Sequence, residues 1–223
     1  MSDRKSNVAS QRVADILATK ILRGEIRPGE RLKQDELASE LGTSRIPVRD
    51  ALRILEARGL VSLQANRGAT AISLTVKDMD LSYRIREQLE PMLLAESIPQ
   101  LGDADIAEMG DIKRKLEDAG DIDTYMALSR AFHWASFRGA DAPLLTQIVE
   151  RLWDQTQNYR QLYAQWTFGD VERRQIMCAE RDLLFGAIRR REVELAPDIL
   201  ASHIRRTHLA LREFWHRHDE LGR

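Results

Sequence analysis

The sequence predicts a mainly α protein of two domains, in which a small helical N-terminal domain closed by a β-hairpin precedes an all-α bundle of about six helices. Three observations carry this. At 223 residues the chain exceeds one common domain length. The only convincing period-2 pattern, Val61 and Leu63 followed by Ile72 and Leu74, ends just before a long stretch of helical periodicity. The charge splits at the same place, with a net +4 over residues 1–75 and −5 over residues 76–223, which suits one domain that meets a polyanion. The domains are therefore expected at 1–75 and 76–223, with the seam near Thr75 to Lys77. A balance of 43% hydrophobic and 31% charged residues excludes a mainly disordered or low-complexity chain. The single cysteine, Cys178, excludes an internal disulfide and a multi-cysteine zinc cage. Apolar runs fall far short of the roughly 20 residues of a spanning helix, and no signal peptide opens the chain. No membrane association and a cytoplasmic location are expected.

In the first domain, residues Met1 to Asn7 are polar enough for a mobile tail, and Val13, Ile16, Leu17 and Ile21 form a helical stripe. Gly24 and Pro28-Gly29 end that helix. Leu37, Ala38 and Leu41 give a short second helix stopped by Gly42, and Thr43-Ser44 caps a third whose stripe is Val48, Ala51, Leu52 and Leu55. Two short helices around a tight glycine turn form a helix-turn-helix, whose second helix presents its first turn to a major groove. Here that turn reads Ser44-Arg45-Ile46-Pro47-Val48-Arg49. Two strands joined by Asn66-Arg67-Gly68 then make a wing with a cation at its tip.

The residues Ile21-Leu22-x-Gly24-x-Ile26-x-Pro28-Gly29, Glu36-Leu37-Ala38, Leu41-Gly42-x-Ser44-Arg45-x-Pro47-Val48-Arg49-x-Ala51-Leu52 and Gly59-Leu60-Val61 with Arg67-Gly68 resemble the winged helix-turn-helix of GntR-type bacterial transcription regulators. That resemblance implies contacts with a double-stranded DNA operator by Ser44, Arg45, Pro47 and Arg49 at the recognition helix and by Asn66, Arg67 and Gly68 at the wing. Chemistry agrees, because an arginine donates two bonds to guanine O6 and N7, worth about 1–3 kcal/mol of discrimination. Arg45 is the expected base reader. Arg53 and Arg58 are expected on a solvated helix face, and Asp35 and Asp50 are expected to face away from DNA or to orient nearby arginines.

In the second domain, helical stretches are expected at 77–98, 103–119, 122–138, 142–166, 171–190 and 193–216. Asp121 or Asp123, Asp141 and Asp170 are candidate N-caps, and Pro91 is expected to kink the first stretch. Polar residues interrupt the apolar stripes on four of these helices. Arg86 and Glu90 lie in line with Met79, Tyr83, Leu89 and Leu93. Ser129 and His133 share a side with Met126, Phe132 and Phe137, Arg181 sits among Met177, Leu184 and Ile188, and His203 among Ile199, Leu200 and Leu211. Buried charges need partners, so a shared polar cavity is expected.

The order Arg86-x-x-Leu89-Glu90, Phe132-His133, Glu180 before Ala187-Ile188, and His203-Ile204 resembles the FCD effector domain that follows many GntR-type winged helices. In that family an aspartate and three histidines usually hold a divalent metal. This sequence keeps His133 and His203 but has Ser129 at the aspartate position and Arg181 at the middle histidine position. Two imidazoles beside a guanidinium make a poor divalent site. No metal is therefore expected, with His133 and His203 the residual candidates, and no cofactor is required. Arg181 is expected to replace the metal as the positive centre, binding a small carboxylate with Arg86, Ser129, His133 and His203 assisting. Alternatively, Arg181 pairs with Glu90 or Glu180 and the cavity is structural.

The remaining residues point elsewhere. Trp134, Trp153, Tyr159, Tyr163, Trp166 and Met177 suit core or dimer surfaces, His216 and His218 a solvated tail, and Cys178 an inert apolar face. With twelve glycines scattered over turns and helix ends, there is no phosphate loop, and no nucleophile and base are paired. The expected function is an effector-responsive DNA-binding regulator, a repressor by its resemblance, working as a homodimer on a near-palindromic operator with half-sites about 34 Å apart. A purely structural dimerisation domain, or a metal-dependent α-helical enzyme fused to a DNA-binding domain, remain the alternatives.

Overall fold

The computed structural model describes residues 2–22, 25–64, 68–72 and 75–221, with the side chains of residues 2–7, 64, 158, 162, 166–167 and 216–221 left aside. The chain packs as two compact units. One comprises Met1–Thr75 with Glu150–Asn158, and the other Val76–Val149 with Tyr159–Arg223.

The first unit holds α1 (Ser2–Leu22), β1 (Arg31–Leu32), α2 (Gln34–Glu40), α3 (Arg45–Ala57), β2 (Val61–Gln64) and β3 (Gly68–Ala71). Its core joins Val13, Ala14, Leu17, Ala18 and Ile21 of α1 to Leu37 and Ala38 of α2 and to Val48, Ala51, Leu52 and Leu55 of α3. The buried face of α1 runs at 14, 17, 18 and 21, the i, i+3, i+4, i+7 rule. The expected stripe residue Ile16 is instead 36% exposed, displaced from the core by the smaller Ala14 and Ala18. The expected tail is also corrected: helix extends back to Ser2, with neither Gly nor Pro before Leu22 to stop it.

Two left-handed glycines shape the helix-turn-helix. At Gly42 (φ +60°) the amide of Thr43 reaches the Ala38 carbonyl at 2.9 Å and that of Gly42 reaches Ser39 at 3.3 Å. This Schellman closure stops α2 and turns the chain directly into α3. Gly59 (φ +69°) repeats it at the end of α3, with Leu60 bonded to Leu55 and Gly59 to Glu56, each at 2.9 Å. The wing is three-stranded rather than a simple hairpin. The order is β1-β3-β2, all antiparallel, with Arg31 opposite Thr70 and Val61 opposite Ala71. Arg58 is corrected as well: it donates to Asp154 from Nε at 3.0 Å and from Nη2 at 2.8 Å, so it is an internal tie of this unit and not a solvated charge.

The second unit is helical: α4 (Val76–Ser97), a 3-10 turn (Ile98–Gln100), α5 (Asp103–Glu117), α6 (Ile122–Ser136), α7 (Pro143–Gln155), α8 (Gln157–Thr167), α9 (Val171–Arg189) and α10 (Leu195–Leu221). The division between the units falls inside α7, after Val149, and inside α8, after Asn158. Met79, Leu93, Leu94, Met109, Phe132, Ile188, Leu200 and Leu211 are among its fully buried apolar residues. The stretch expected as one helix over 142–166 is two, divided at Thr156, whose hydroxyl bonds back to the Leu152 carbonyl at 2.7 Å. Such back-bonding competes with the helical ladder and bends it. Asp121 and Asp170 cap α6 and α9 through the amides of Thr124 and Arg173. Asp141 is not adjacent to a helix start, because α7 begins at Pro143. Pro91 lies inside an uninterrupted α4. Among the described residues no helix is long and apolar enough to cross a membrane.

Candidate functional site

Each unit carries one cluster of functional character. In the first, α3 opens at the surface with Ser44 at the N-cap position, although its side chain makes no capping bond. Ser44, Arg45 and Arg49 are exposed, while Pro47 is buried. Pro47 is therefore corrected from a groove contact to a core residue. Its fixed φ starts the helix and its ring packs inward, which leaves Ile46, 57% exposed, as the apolar group on that surface. Arg45 forms an ion pair through Nε with Asp35 of α2. Arg49 and Arg53 lie 3.5 and 3.9 Å from Asp50. Gly68 is exposed at the start of β3 with φ +82°, while Asn66 and Arg67 lie outside the described residues. A cleft of about 270 Å³, lined by Arg31, Leu32, Lys33, Gln34, Asp35, Arg45 and Gly68, brings the wing strands next to the start of α3.

The second cluster is buried. Arg86 and Glu90, one turn apart on α4, are 4% and 0% exposed and bond at 2.5 Å. The Arg86 guanidinium also lies 4.7 Å above the Tyr83 ring, and that ring stacks on His208 of α10 at 5.4 Å. His208 in turn contacts Asp80 at 3.0 Å. His133 of α6 is 7% exposed and stacks on His203 of α10 at 5.6 Å. Ser129 is half-buried one turn before it. His203 Nδ1 lies 2.7 Å from Glu180, whose carboxylate also receives Arg206. Burial pushes the Glu180 carboxyl up, but bonds from His203 and Arg206 outweigh it and hold the group below its usual range.

Arg181 of α9 is 7% exposed. It pairs with neither Glu90 nor Glu180, which are taken by Arg86 and by His203 with Arg206. Instead its Nη2 donates to the Tyr125 hydroxyl at 3.2 Å, and its buried Nη1 finds no hydrogen-bond partner among the described residues. Burial first, then the charges of His203, Arg181, Arg86 and Arg160, hold His133 well below the ordinary imidazole value. Burial and the nearby Arg86 pull Arg160 down to about 9. The region thus gathers guanidinium groups from α4, α8 and α9 around two stacked imidazoles.

This donor set does not fit a divalent cation. Glu180 is already bonded to His203 and Arg206, and Arg181, whose fixed positive charge adds to burial in holding His133 neutral, would repel a metal ion there. Among the described residues no group of three His, Cys, Asp or Glu is placed to hold one. Sequence reasoning missed Tyr125, Arg160 and Arg206. Tyr125 was legible, since it lies four residues before Ser129 and eight before His133 on one face of α6. Arg160 falls between Tyr159 and Tyr163, where an aromatic pattern hid it.

The family model described as bacterial regulatory proteins, gntR family, matches residues 9–70, and that of the FCD domain matches residues 81–206. The HTH-type transcriptional regulator McbR of Escherichia coli (strain K12) is 32% identical over 133 residues, which are 58% of this chain and 60% of that protein. The HTH-type transcriptional repressor GlaR of the same organism is 28% identical over 195 residues, 84% of this chain and 89% of its own length. The solved structure of E. coli McbR/YncC superposes with a TM-score of 0.81 at 26% identity, covering 93% of this chain and 98% of that one. These relatives are named as regulators, not as enzymes.

Proposed function

Since this chain belongs to the gntR family of bacterial regulatory proteins and carries an FCD domain, we propose that it is a sequence-specific DNA-binding regulator whose operator affinity is set by a small organic acid held in its helical unit. In this reading Ser44, Arg45 and Arg49, with Asn66, Arg67 and Gly68 of the wing, meet a near-palindromic operator. Two copies of the chain place their recognition helices in successive major grooves. The relative named a repressor, GlaR, favours release of DNA on effector binding.

The observation that carries the effector reading is Arg181. A guanidinium costs a great deal to bury unless every donor is used, yet this one is 7% exposed and, among the described residues, has one terminal nitrogen bonded, to a neutral phenol, and the other unpartnered. A carboxylate presents two oxygens that match the guanidinium fork, and Arg86, Ser129, His133 and His203 stand nearby to take the rest of the molecule.

Isothermal titration of the metal-stripped protein with acetate, lactate, succinate, malate and citrate, with and without zinc, nickel or manganese, tests the proposal. Metal-independent binding that disappears in Arg181→Ala supports it. Binding only with added metal overturns the arginine-centred site, and no binding at all favours a purely structural dimerisation domain.

A further inference from the structure

We propose that Asp35 is a specificity-determining residue of the DNA-reading surface: it acts as a positioning group that holds Arg45 for guanine, and it acts without touching the base. The inference rests on the DNA-reading role proposed above and concerns how that surface chooses sequence. Arg45 is the exposed cation at the first position of α3, and Asp35 is in the first turn of α2. Their side chains are 71% and 63% exposed. A pair so open to solvent contributes little to folding, so its value lies in where it puts the arginine.

The contact uses Nε of Arg45. An arginine held there keeps its two terminal nitrogens for another partner, and those nitrogens form the edge that matches guanine O6 and N7. A free arginine on a surface can turn to any phosphate within reach, which adds affinity without information. An acid paired at Nε narrows that freedom and leaves the terminal nitrogens open to a base. That cleft is lined by Arg31, Lys33, Gln34 and Gly68 as well as by the pair itself, so cations that can engage the backbone flank the one that reads. Asp35 also places a negative charge on a surface that approaches a polyanion, which penalises loose binding to any sequence. One carboxylate thereby raises discrimination and lowers non-specific affinity together.

The full-length wild type, Asp35→Asn, Asp35→Glu and Arg45→Ala are each selected against a library of randomised duplexes, then titrated on the selected site and on poly(dI-dC). Wild type is expected to enrich a site, and Arg45→Ala to flatten one base-pair position in each half. Asp35→Asn should flatten that same position by about 5–10-fold, bind poly(dI-dC) at least as tightly as wild type, and keep the wild-type Tm. Asp35→Glu should recover part of the preference. If wild type enriches a site and Asp35→Asn keeps full discrimination, the proposal is wrong. It is equally wrong if Asp35→Asn loses affinity equally for all sequences or shifts preference at a different position, since the last result makes Asp35 a direct reader. If wild type enriches nothing, the DNA-reading role itself fails, which is a separate outcome.

Discussion

The first unit and the second are built on opposite uses of charge. In the winged-helix unit the core cluster from Val13 to Ala71 is apolar, and Arg45, Arg49 and Arg53 stand at the surface. In the helical unit Arg86, Glu90, His133, Arg181 and His208 are buried among Tyr83, Phe132 and Leu184. The contrast follows from the partners proposed for each. A polymer of phosphates is met from outside, where exposed cations retain their hydration and act at long range. A small acid is enclosed, and the groups that grip it must be desolvated beforehand, at a cost to the empty protein.

The largest test of this contrast is the Arg86–Glu90 pair. Arg86→Met removes the bonded partner of the buried Glu90, and should destabilise the protein by about 3–5 kcal/mol in chemical denaturation, whereas the double change Arg86→Met with Glu90→Leu should recover most of the loss. Simple additivity of the two single changes would show that the pair is not the unit of energy here. The next effect is on Arg181. Arg181→Met should weaken binding of any carboxylate effector by about 1.5–3 kcal/mol and at the same time raise the Tm of the ligand-free protein, because it removes a buried cation. A fall in both would make Arg181 structural.

A third test uses pH. His133 is held neutral, with a folded value well below that of the unfolded chain. As pH falls below about 6.5, the unfolded chain takes up this proton first. The stability from this group is therefore full above that pH and declines as pH drops towards the folded value, by at most about 1.4 kcal/mol per pH unit. Comparing the pH dependence of unfolding for wild type and His133→Phe should show a shallower decline between pH 6.5 and 5 in the variant. Identical slopes would remove His133 from the account. The smallest effect is expected on the other side of the comparison: Arg53→Ala, at a 66% exposed side chain 3.9 Å from Asp50, should alter stability by less than about 0.5 kcal/mol.

The same contrast explains what was legible in the sequence. Helix α3 and the turn before it could be read almost to the residue, because Gly42 and Gly59 mark left-handed caps and Val48, Ala51, Leu52 and Leu55 keep a clean period. Local rules act there without competition. Pro47 misled because its place at the first turn is equally compatible with a ring turned in or out. In the helical unit the interrupted stripes singled out Arg86, His133 and Arg181, which are buried, and His203, which is half-buried, but the pairing among them was not readable. Glu180 joins His203 and Arg206 across helices 23 and 26 residues apart, and no local spacing encodes such a choice. The break at Thr156 was missed for a related reason, since a threonine inside a helix bends it only when its hydroxyl turns back to the preceding turn.

The grouping of Glu150–Asn158 with the first unit bears on how such proteins are assembled by gene shuffling. The FCD match spans residues 81–206, whereas packing assigns a nine-residue stretch within that span to the winged-helix unit. An exchange of coding segments at residue 75 would bring in a reader whose Arg58 carries no guarantee of finding an acid like Asp154, which here is 0% exposed at its side chain. Successful recombinants are then those in which residues 58 and 154 travel together or are refitted afterwards. This small segment would act as a compatibility lock on which winged-helix and helical units can share a chain.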